Sequence, residues 1–480
     1  MRMKRTPTVL LASLVLAVIS AGQNAKVSAA AAAVPTFSKD VAPILFARCV
    51  TCHRPGEVAP MPFLTYAQTR PWAKAIQQKV VKREMPPWHA DPRYGKFAND
   101  RSLTSQEIDT IVAWAVGGAP QGNVAEMPPP PHFVDGWTPA VAPDYVFEMP
   151  QEFPVPAEGQ SSVLNFWVPI PFNEDRFAEM IELRPGNRSA VHHITCLVAD
   201  LPEGGKLTEA GELIFADGTR ENDWDARTGI KDRKPGFGTN LRPFITYLPG
   251  HSFEPHPPGT GVRISKGKYI RFDVHYQATG RPETDRSRLA LWFSKASNSE
   301  IQELYQSHAG MQIGTSIDTM SFHRAEGIQR DDDRERNARG DGQKFPNIPP
   351  YAKDYKIVSV SPIPEPITVY GFWPHQHLRG KSTTWTLTRP DGRQEILLSI
   401  PQYDFNWQIQ YDLAEPLHIP AGSTITAVGL WDNSAQNKYN PAPDQEVYWS
   451  EQSWNEMWSA FYVYTVDSQK SSKSTQGKSR

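Results

Sequence analysis

The sequence predicts a small α-helical module followed by two antiparallel β-sandwiches. Three observations lead there. Apolar residues at helical spacing, with recognisable helix ends, occur only before residue 122. A proline-rich stretch then interrupts the chain. Beyond it, short β-type runs recur with no amphipathic helices between them, which favours antiparallel sandwiches over a parallel sheet. At 480 residues the chain exceeds what one hydrophobic core organises, and about three domains are expected. Its 44 prolines, 14 tryptophans and 39% hydrophobic content suit loop-rich β-structure with aromatic cores rather than a helical bundle.

The N-terminus carries Arg2, Lys4 and Arg5, then the apolar run "VLLASLVLAVISA", then the small residues of "KVSAA". This predicts a secretory signal peptide over residues 1–29, cleaved near Ala29, and a periplasmic or secreted mature protein. The apolar run, about 13 residues, is too short to span a hydrocarbon core of roughly 30 Å, and no later segment approaches the length needed, so an integral membrane protein is not expected. The formal charge is −2, and loss of Arg2, Lys4, Arg5 and Lys26 with the leader makes it −6. Without a basic stripe, nucleic acid is excluded as a partner.

The chain has three cysteines, Cys49, Cys52 and Cys196. The first two belong to "CVTCH", the C-x-x-C-H pattern in which both thiols attach to haem vinyl groups and His53 supplies the proximal iron ligand. A redox dithiol needs a βαβ setting and a zinc site needs two more ligands nearby; neither is present. In "SKDVAPILFARCVTCH", Ser38 is the expected N-cap and residues 41, 44 and 45 form the apolar stripe of a helix that delivers the cysteines. In "TSQEIDTIVAWAVGGAP", Thr104 and Glu107 form a capping box, and Gly117, Gly118 and Pro120 close the helix. Two such helices bracketing a covalent haem c resemble a small class I cytochrome c spanning residues 36–122. The sixth iron ligand is expected to be Met85, in the proline-stiffened "REMPPWHAD", with Met61 and His89 as competitors.

Residues 123–144, including "EMPPPPHF", read as a proline-rich linker. The β-type runs follow, among them "SVLNFWVPI", "VHHITCLVA", "KYIRFDVHYQA", "ITVYGFW" and "STITAVGLW". "PDGR" between two runs signals a hairpin. The two sandwiches are expected over 145–299 and 300–467. "AEGIQRDDDRERNARGDGQ" reads as an exposed charged loop, and residues 468–480 as a disordered tail.

Five histidines stand out within these runs. His375 and His377 in "GFWPHQHLRGK" lie two apart, so on an extended strand both rings reach one side, where a metal ion is the natural target. In "KYIRFDVHYQA", Ile270, Phe272, Val274 and Tyr276 alternate with His275, which therefore leaves the buried face. The adjacent pair His192 and His193 points to opposite faces of a regular strand and shares a metal only through a bulge or twist; one inward and one outward ring is the alternative. Met457 lies in "SWNEMWSAFY" among Trp454, Trp458 and Phe461, a setting that by itself reads as core.

Taken in order, His-His, "FDVHY", "HQHLRG", "DNSAQNKYNP" and "SWNEMWSAFY" resemble the copper type II, ascorbate-dependent monooxygenases, the family of peptidylglycine and dopamine hydroxylases. The resemblance covers about residues 145–467 and implies two consecutive jelly-roll-like antiparallel sandwiches holding two copper ions. It assigns His192, His193 and His275 to an electron-storing copper in the first sandwich, and His375, His377 and Met457 to an oxygen-activating copper in the second. A thioether suits Cu(I), the state that meets dioxygen. The chain departs from the family in places. Cys196 is the one thiol left after haem attachment, where animal members carry several disulfides. Trp373 stands where the peptide-amidating branch has a carboxylate-binding arginine, and Ser459 and Phe461 replace its asparagine and tyrosine, so a C-terminal glycine is not the expected substrate.

The resemblances together imply an exported haem–copper monooxygenase. It would hydroxylate a C–H bond of a small organic substrate with O2, and an electron donor to the haem would take the place of ascorbate. Arg379, Asp432 and Asn433 are candidates for ordering the site or for making exposed turns. The rival readings are a non-enzymatic haem and copper electron carrier, and a partner-binding β-module with degenerate sites.

Overall fold

The computed structural model describes residues 33–134, 136–159, 162–222, 242–308, 322–324, 347–447 and 453–469. The leader, the charged loop near 325–345 and residues 470–480 of the tail lie outside them. Pro35–Arg480 forms one compact unit.

The segment before "CVTCH" is helical, as a π-turn over Phe37–Val41 followed by an α-helix over Ala42–Arg48. Ser38 is not its cap. Thr36 takes that position, and Ser38 is wholly buried in the first turn. The reason is tertiary: the N–H groups of Phe37 and Ser38 donate to the carbonyls of Pro120 and Gln121, so neither needs a capping side chain, while Asp40 accepts from the Thr36 N–H. The helix Ser105–Val116 begins with the expected reciprocal pair, Glu107 N–H to Thr104 Oγ1 at 3.2 Å and Thr104 N–H to Glu107 Oε2 at 2.7 Å. It ends at Gly117, with Gly118 at φ +88°. A helix at Ala73–Val81, not expected from the sequence, completes a core of Phe37, Leu45, Ile76, Ile111 and Trp114.

The β-rich remainder is built from two double layers that share one outer sheet. That sheet orders Tyr145–Glu148, Arg288–Phe293, Arg176–Arg184, Thr260–Ile264, Gln302–His308, Trp458–Val466, Ile367–Gln376 and Tyr411–Ile419. A four-stranded sheet, Ser162–Pro169, Tyr269–Tyr276, Val191–Ala199 and Arg242–Tyr247, packs on its first half around Ile181, Ile194, Phe272 and Leu289. A five-stranded sheet that includes Tyr355–Ile363, Ser423–Trp431, Gly380–Thr388 and Gln394–Ile400 packs on its second half around Val369, Trp385, Ile425 and Tyr462. The expected boundary near 300 falls just before the joining strand, Gln302–His308. That strand pairs parallel with Thr260–Ile264 and antiparallel with Trp458–Val466, so the outer sheet is mixed and continuous rather than purely antiparallel. The "PDGR" hairpin forms, with Gly392 at φ +84°. Cys196 is a wholly buried free thiol.

The helical module is joined to both double layers. Residues 96–98 extend the outer sheet, through the Phe97–Leu413 bridge and Ala98 N–H to Asp412 O at 2.8 Å. Trp88 packs edge-on against Tyr411, with ring centroids 4.9 Å apart. The proline-rich linker lies against the first half, where Trp137 meets Trp292 edge-on and Thr138 N–H donates to Glu182. Among the described residues, no helix is long and apolar enough to cross a membrane.

Trp385, fully buried, centres the second core. Trp385→Ala is expected to cost about 3–5 kcal/mol, read as a lowered urea midpoint with an unchanged m-value.

Candidate metal centre

His192 and His193 occupy the strand Val191–Ala199, paired with Tyr269–Tyr276. The register runs His275 to His193 and then Tyr276 to Val191, which leaves His192 as the extra residue of a β-bulge. The bulge turns adjacent side chains toward one point: their Nδ1 atoms lie 3.0 Å apart. His275 joins them, and one nitrogen from each of the three lies within 4.8 Å of the others. Three nitrogens bound to one ion at about 2.0–2.1 Å lie roughly 3–4 Å apart, so the set is within about an ångström of a coordination sphere.

His275 departs from the sequence expectation. It does leave the sandwich core, but it is 0% exposed, because the second double layer covers that face. Among the described residues, neither of its ring nitrogens has a hydrogen-bond partner. A fully buried imidazole with both nitrogens unsatisfied is costly unless an ion or ligand completes it.

His375 ends the strand Ile367–Gln376, and His377 follows it; both are buried. His375 Nδ1–H donates to Gln408 Oε1 at 2.6 Å, which fixes the tautomer and leaves Nε2 as the donor atom for a metal. The pairing of His375 with Ser459 and of Gln376 with Trp458 sets Met457 opposite His377, one residue beyond the ladder. By the alternation of a strand, His375, His377, Met457 and Ser459 share a face.

Glu456 braces this ligand segment. Its fully buried carboxylate accepts from the backbone N–H groups of Arg379 (2.6 Å) and His377 (3.0 Å) and from Trp431 Nε1 (2.9 Å). Burial raises its pKa to about 7. Arg379 is buried rather than exposed: Nε donates to Asn433 Oδ1 at 2.8 Å and a terminal nitrogen to the Trp454 carbonyl at 2.9 Å. Asn433, itself buried, donates to the carbonyls of Pro349 and Gln445. Arg379 and Asn433 therefore order the segment, and Asp432 makes a turn by accepting from Ser434 N–H.

The two histidine sets meet. The rings of His193 and His375 lie 5.5 Å apart, and Phe405 stacks on His192 at 5.0 Å and reaches His275 and His377 at 5.8 and 5.9 Å. Burial, with neighbouring imidazoles adding to it, holds His192 down to about 4 and His193 and His275 well below 6.5; burial alone lowers His375 to about 4. All four rings are therefore neutral, the state in which imidazole binds metal. Sequence reading missed Phe405, Gln408 and Glu456. Of these, only Glu456, a carboxylate inside an apolar run, carried a visible signal.

At the helical module, His53 Nδ1–H donates to the Met61 carbonyl at 3.0 Å, leaving Nε2 outward. Burial pushes the Cys49 thiol up to about 12 and raises Cys52 as well. Of the candidates for the sixth ligand, Met61 packs on the helical core and Met85 is half-buried, while His89 is lowered by burial and partly restored by Asp404, beside Phe405. The turn 248–251 of the first double layer presses on the motif: Gly250, at φ +82°, leaves room where a Cβ would come within 3.2 Å of Cys52 Sγ. From the same turn, Leu248 packs with Trp373 and Phe461, and the Trp373 ring lies 5.4 Å from that of His375.

No family model matches the chain, and no curated protein sequence matches it. Among solved structures, a Paenibacillus xanthan lyase aligns at 11% identity and a TM-score of 0.17 over 70% of this chain and 28% of that one, so the chain spans little more than a quarter of its length. The CBM22-1–CBM22-2 tandem of Paenibacillus barcinonensis Xyn10C aligns at 9% identity and a TM-score of 0.15, over 61% and 79% of the two chains. An allantoicase aligns at 7% identity and a TM-score of 0.12, over 57% and 78%. Likenesses this distant carry no argument about fold or chemistry.

A histidine whose pKa falls from 6.5 unfolded to about 4 folded stabilises the protein fully above 6.5, and that stability is lost as pH falls toward 4. Glu456, raised from 4.5 to about 7, has the opposite sign: its contribution is complete below 4.5 and lost as pH rises through 7. Four lowered histidines outweigh one raised glutamate, so the melting temperature of metal-free protein should fall between pH 6.5 and 4, and more steeply in Glu456→Gln. Separately, Glu456→Ala strands buried donors and should cost about 3 kcal/mol in chemical denaturation, while leaving the His192–His193–His275 set able to take up copper.

Proposed function

We propose that the chain is an exported haem–copper monooxygenase that inserts one atom of O2 into a C–H bond of a small organic substrate. The observation that carries the proposal is the meeting of five buried histidines, one of them with both ring nitrogens unpartnered among the described residues. Their donor types suit copper: imidazole nitrogen throughout, with the thioether of Met457 set beside His377 by the strand register.

Copper held at these residues would supply the one-electron chemistry by which O2 is reduced, and haem c held by Cys49, Cys52 and His53 would take the place of a diffusing reductant. The chain's own residues do the rest. The β-bulge aims His192 and His193 together, Gln408 sets the His375 tautomer, and Glu456 with Arg379 fixes the backbone that carries His377. Phe405 and the double layers keep water from the rings, which protects reactive oxygen species from side reactions. In the balanced reaction one oxygen atom enters the C–H bond, the other leaves as water, and two electrons and two protons are consumed. The electrons would come from a one-electron donor to the haem, and the 248–251 turn, which approaches Cys52 at Gly250 and packs Leu248 with Trp373 beside His375, links the motif to the histidines. Trp373 offers no charge to a substrate carboxylate, which favours a neutral substrate.

Reduced, reconstituted protein is expected to couple haem reoxidation to O2 uptake and to label a product from 18O2. Met457→Ala should lower turnover at least about 100-fold while leaving the haem spectrum unchanged. Reoxidation without a labelled product would identify an electron carrier instead.

A further inference from the structure

We infer that Arg101, together with Arg54 and Arg188, forms a cationic collar at Cys52 that raises the reduction potential of a haem attached there. The inference rests on the haem reading of "CVTCH" and deepens it by naming the residues that regulate that site; it does not depend on copper. A methyl group at Gly250 would stand 2.9 Å from Arg101 Nη1 and 3.2 Å from Cys52 Sγ, so the nitrogen and the sulfur lie no more than about 6 Å apart, where a half-buried charge acts with little screening. Attachment through Cys52 bonds the porphyrin edge to this sulfur through a single carbon, so a charge beside the sulfur is also beside the ring.

The positive charge at this sulfur is not balanced. Arg54, two residues beyond Cys52, and Arg188, from the loop before the first histidine strand, share a single carboxylate, that of Glu57. Arg101 has no ion-pair partner among the described residues. The acids near it are engaged elsewhere: Glu254 pairs with His251 at 3.0 Å, and Asp100 accepts from the Ser102 N–H at 2.7 Å. Three guanidiniums therefore face one carboxylate. Burial raises the Cys52 thiol, and Arg101, Arg54 and Arg188 each act to bring it back down, so all three charges reach the sulfur. The Cys49 side differs, because Arg48 there is paired with Glu107 at 3.5 Å. Ferric haem carries one more positive charge than ferrous haem, so uncompensated cations beside the ring favour the reduced form. The consequence is an electron store that resists direct oxidation by dissolved O2.

The test uses the full chain with its haem, stripped of copper by a chelator, in an equilibrium redox titration followed by haem absorbance. Arg101→Gln is expected to shift the haem toward the ferric form roughly three- to tenfold at a fixed potential, a midpoint lower by up to about 59 mV, and to speed reoxidation of the reduced protein in air. Arg101→Lys, which keeps the charge, should hold the midpoint near that of the wild type. Arg188→Gln reads the same charge effect from another element and should also lower the midpoint; it decides the matter if Arg101→Gln loses its haem. An unchanged midpoint in Arg101→Gln, or an equal fall in Arg101→Lys, would overturn the inference and leave the haem reading standing. A wild-type chain that carries no covalent haem after expression with a haem-attachment system would overturn both.

Discussion

The constraint on which the rest of this molecule depends is the cost of placing imidazole where water does not reach. A buried histidine loses its charge, and each ring nitrogen still needs a partner. His375 meets that need through Gln408, and His192 and His193 meet it in part through each other. Among the described residues, His275 has no such partner on either nitrogen. An ion held by His192, His193 and His275 would offset this deficit, and its binding would then stabilise the fold.

Holding five such rings together takes long-range order, because they come from strands almost two hundred residues apart in sequence. The continuous outer sheet supplies it. If the two double layers were joined by a flexible linker, the approach of His193 to His375 would vary with every hinge motion. Joined through Gln302–His308, the two halves share backbone hydrogen bonds, and side-chain placement inherits the rigidity of the ladder. Local devices then refine the aim: a bulge at His192, and a buried carboxylate at Glu456 that gathers the backbone N–H groups of the ligand segment.

Much of this was legible in the sequence, for reasons that differ by element. The Thr104–Glu107 box and the "PDGR" turn act through neighbours in sequence, and both formed as expected. The Ser38 cap failed because a distant segment, Pro120–Gln121, supplied the acceptors instead. The alternation around His275 was read correctly as leaving one core, but a strand pattern does not reveal that a second layer covers the other face. The bulge at His192 was recognised only as a condition, since bulges arise from pairing with a partner strand. Phe405 and Gln408 lie in an irregular segment with no periodicity to read, and their roles exist only through contacts made across the fold.

The position of the C-x-x-C-H motif adds a last step. A tethered electron source has value in proportion to how short and how rigid its path to the acceptor is. Here the motif does not hang from its proline-rich linker: residues 96–98 extend the outer sheet, Arg188 pairs with Glu57, and Gly250 lets the 248–251 turn close onto Cys52. That same turn contributes Leu248 to the small apolar cluster with Trp373 and Phe461, whose rings stack at 4.7 Å. Trp373 fills the place where a carboxylate-binding arginine would stand in the peptide-amidating enzymes that the sequence resembles. Here Trp373 packs with Leu248 and Phe461 beside His375. Under the proposed reading, the exchange of arginine for tryptophan accompanies the exchange of a diffusing reductant for a tethered one. A charged guanidinium would draw water into the contact, whereas an indole packed with Leu248 and Phe461 keeps it dry.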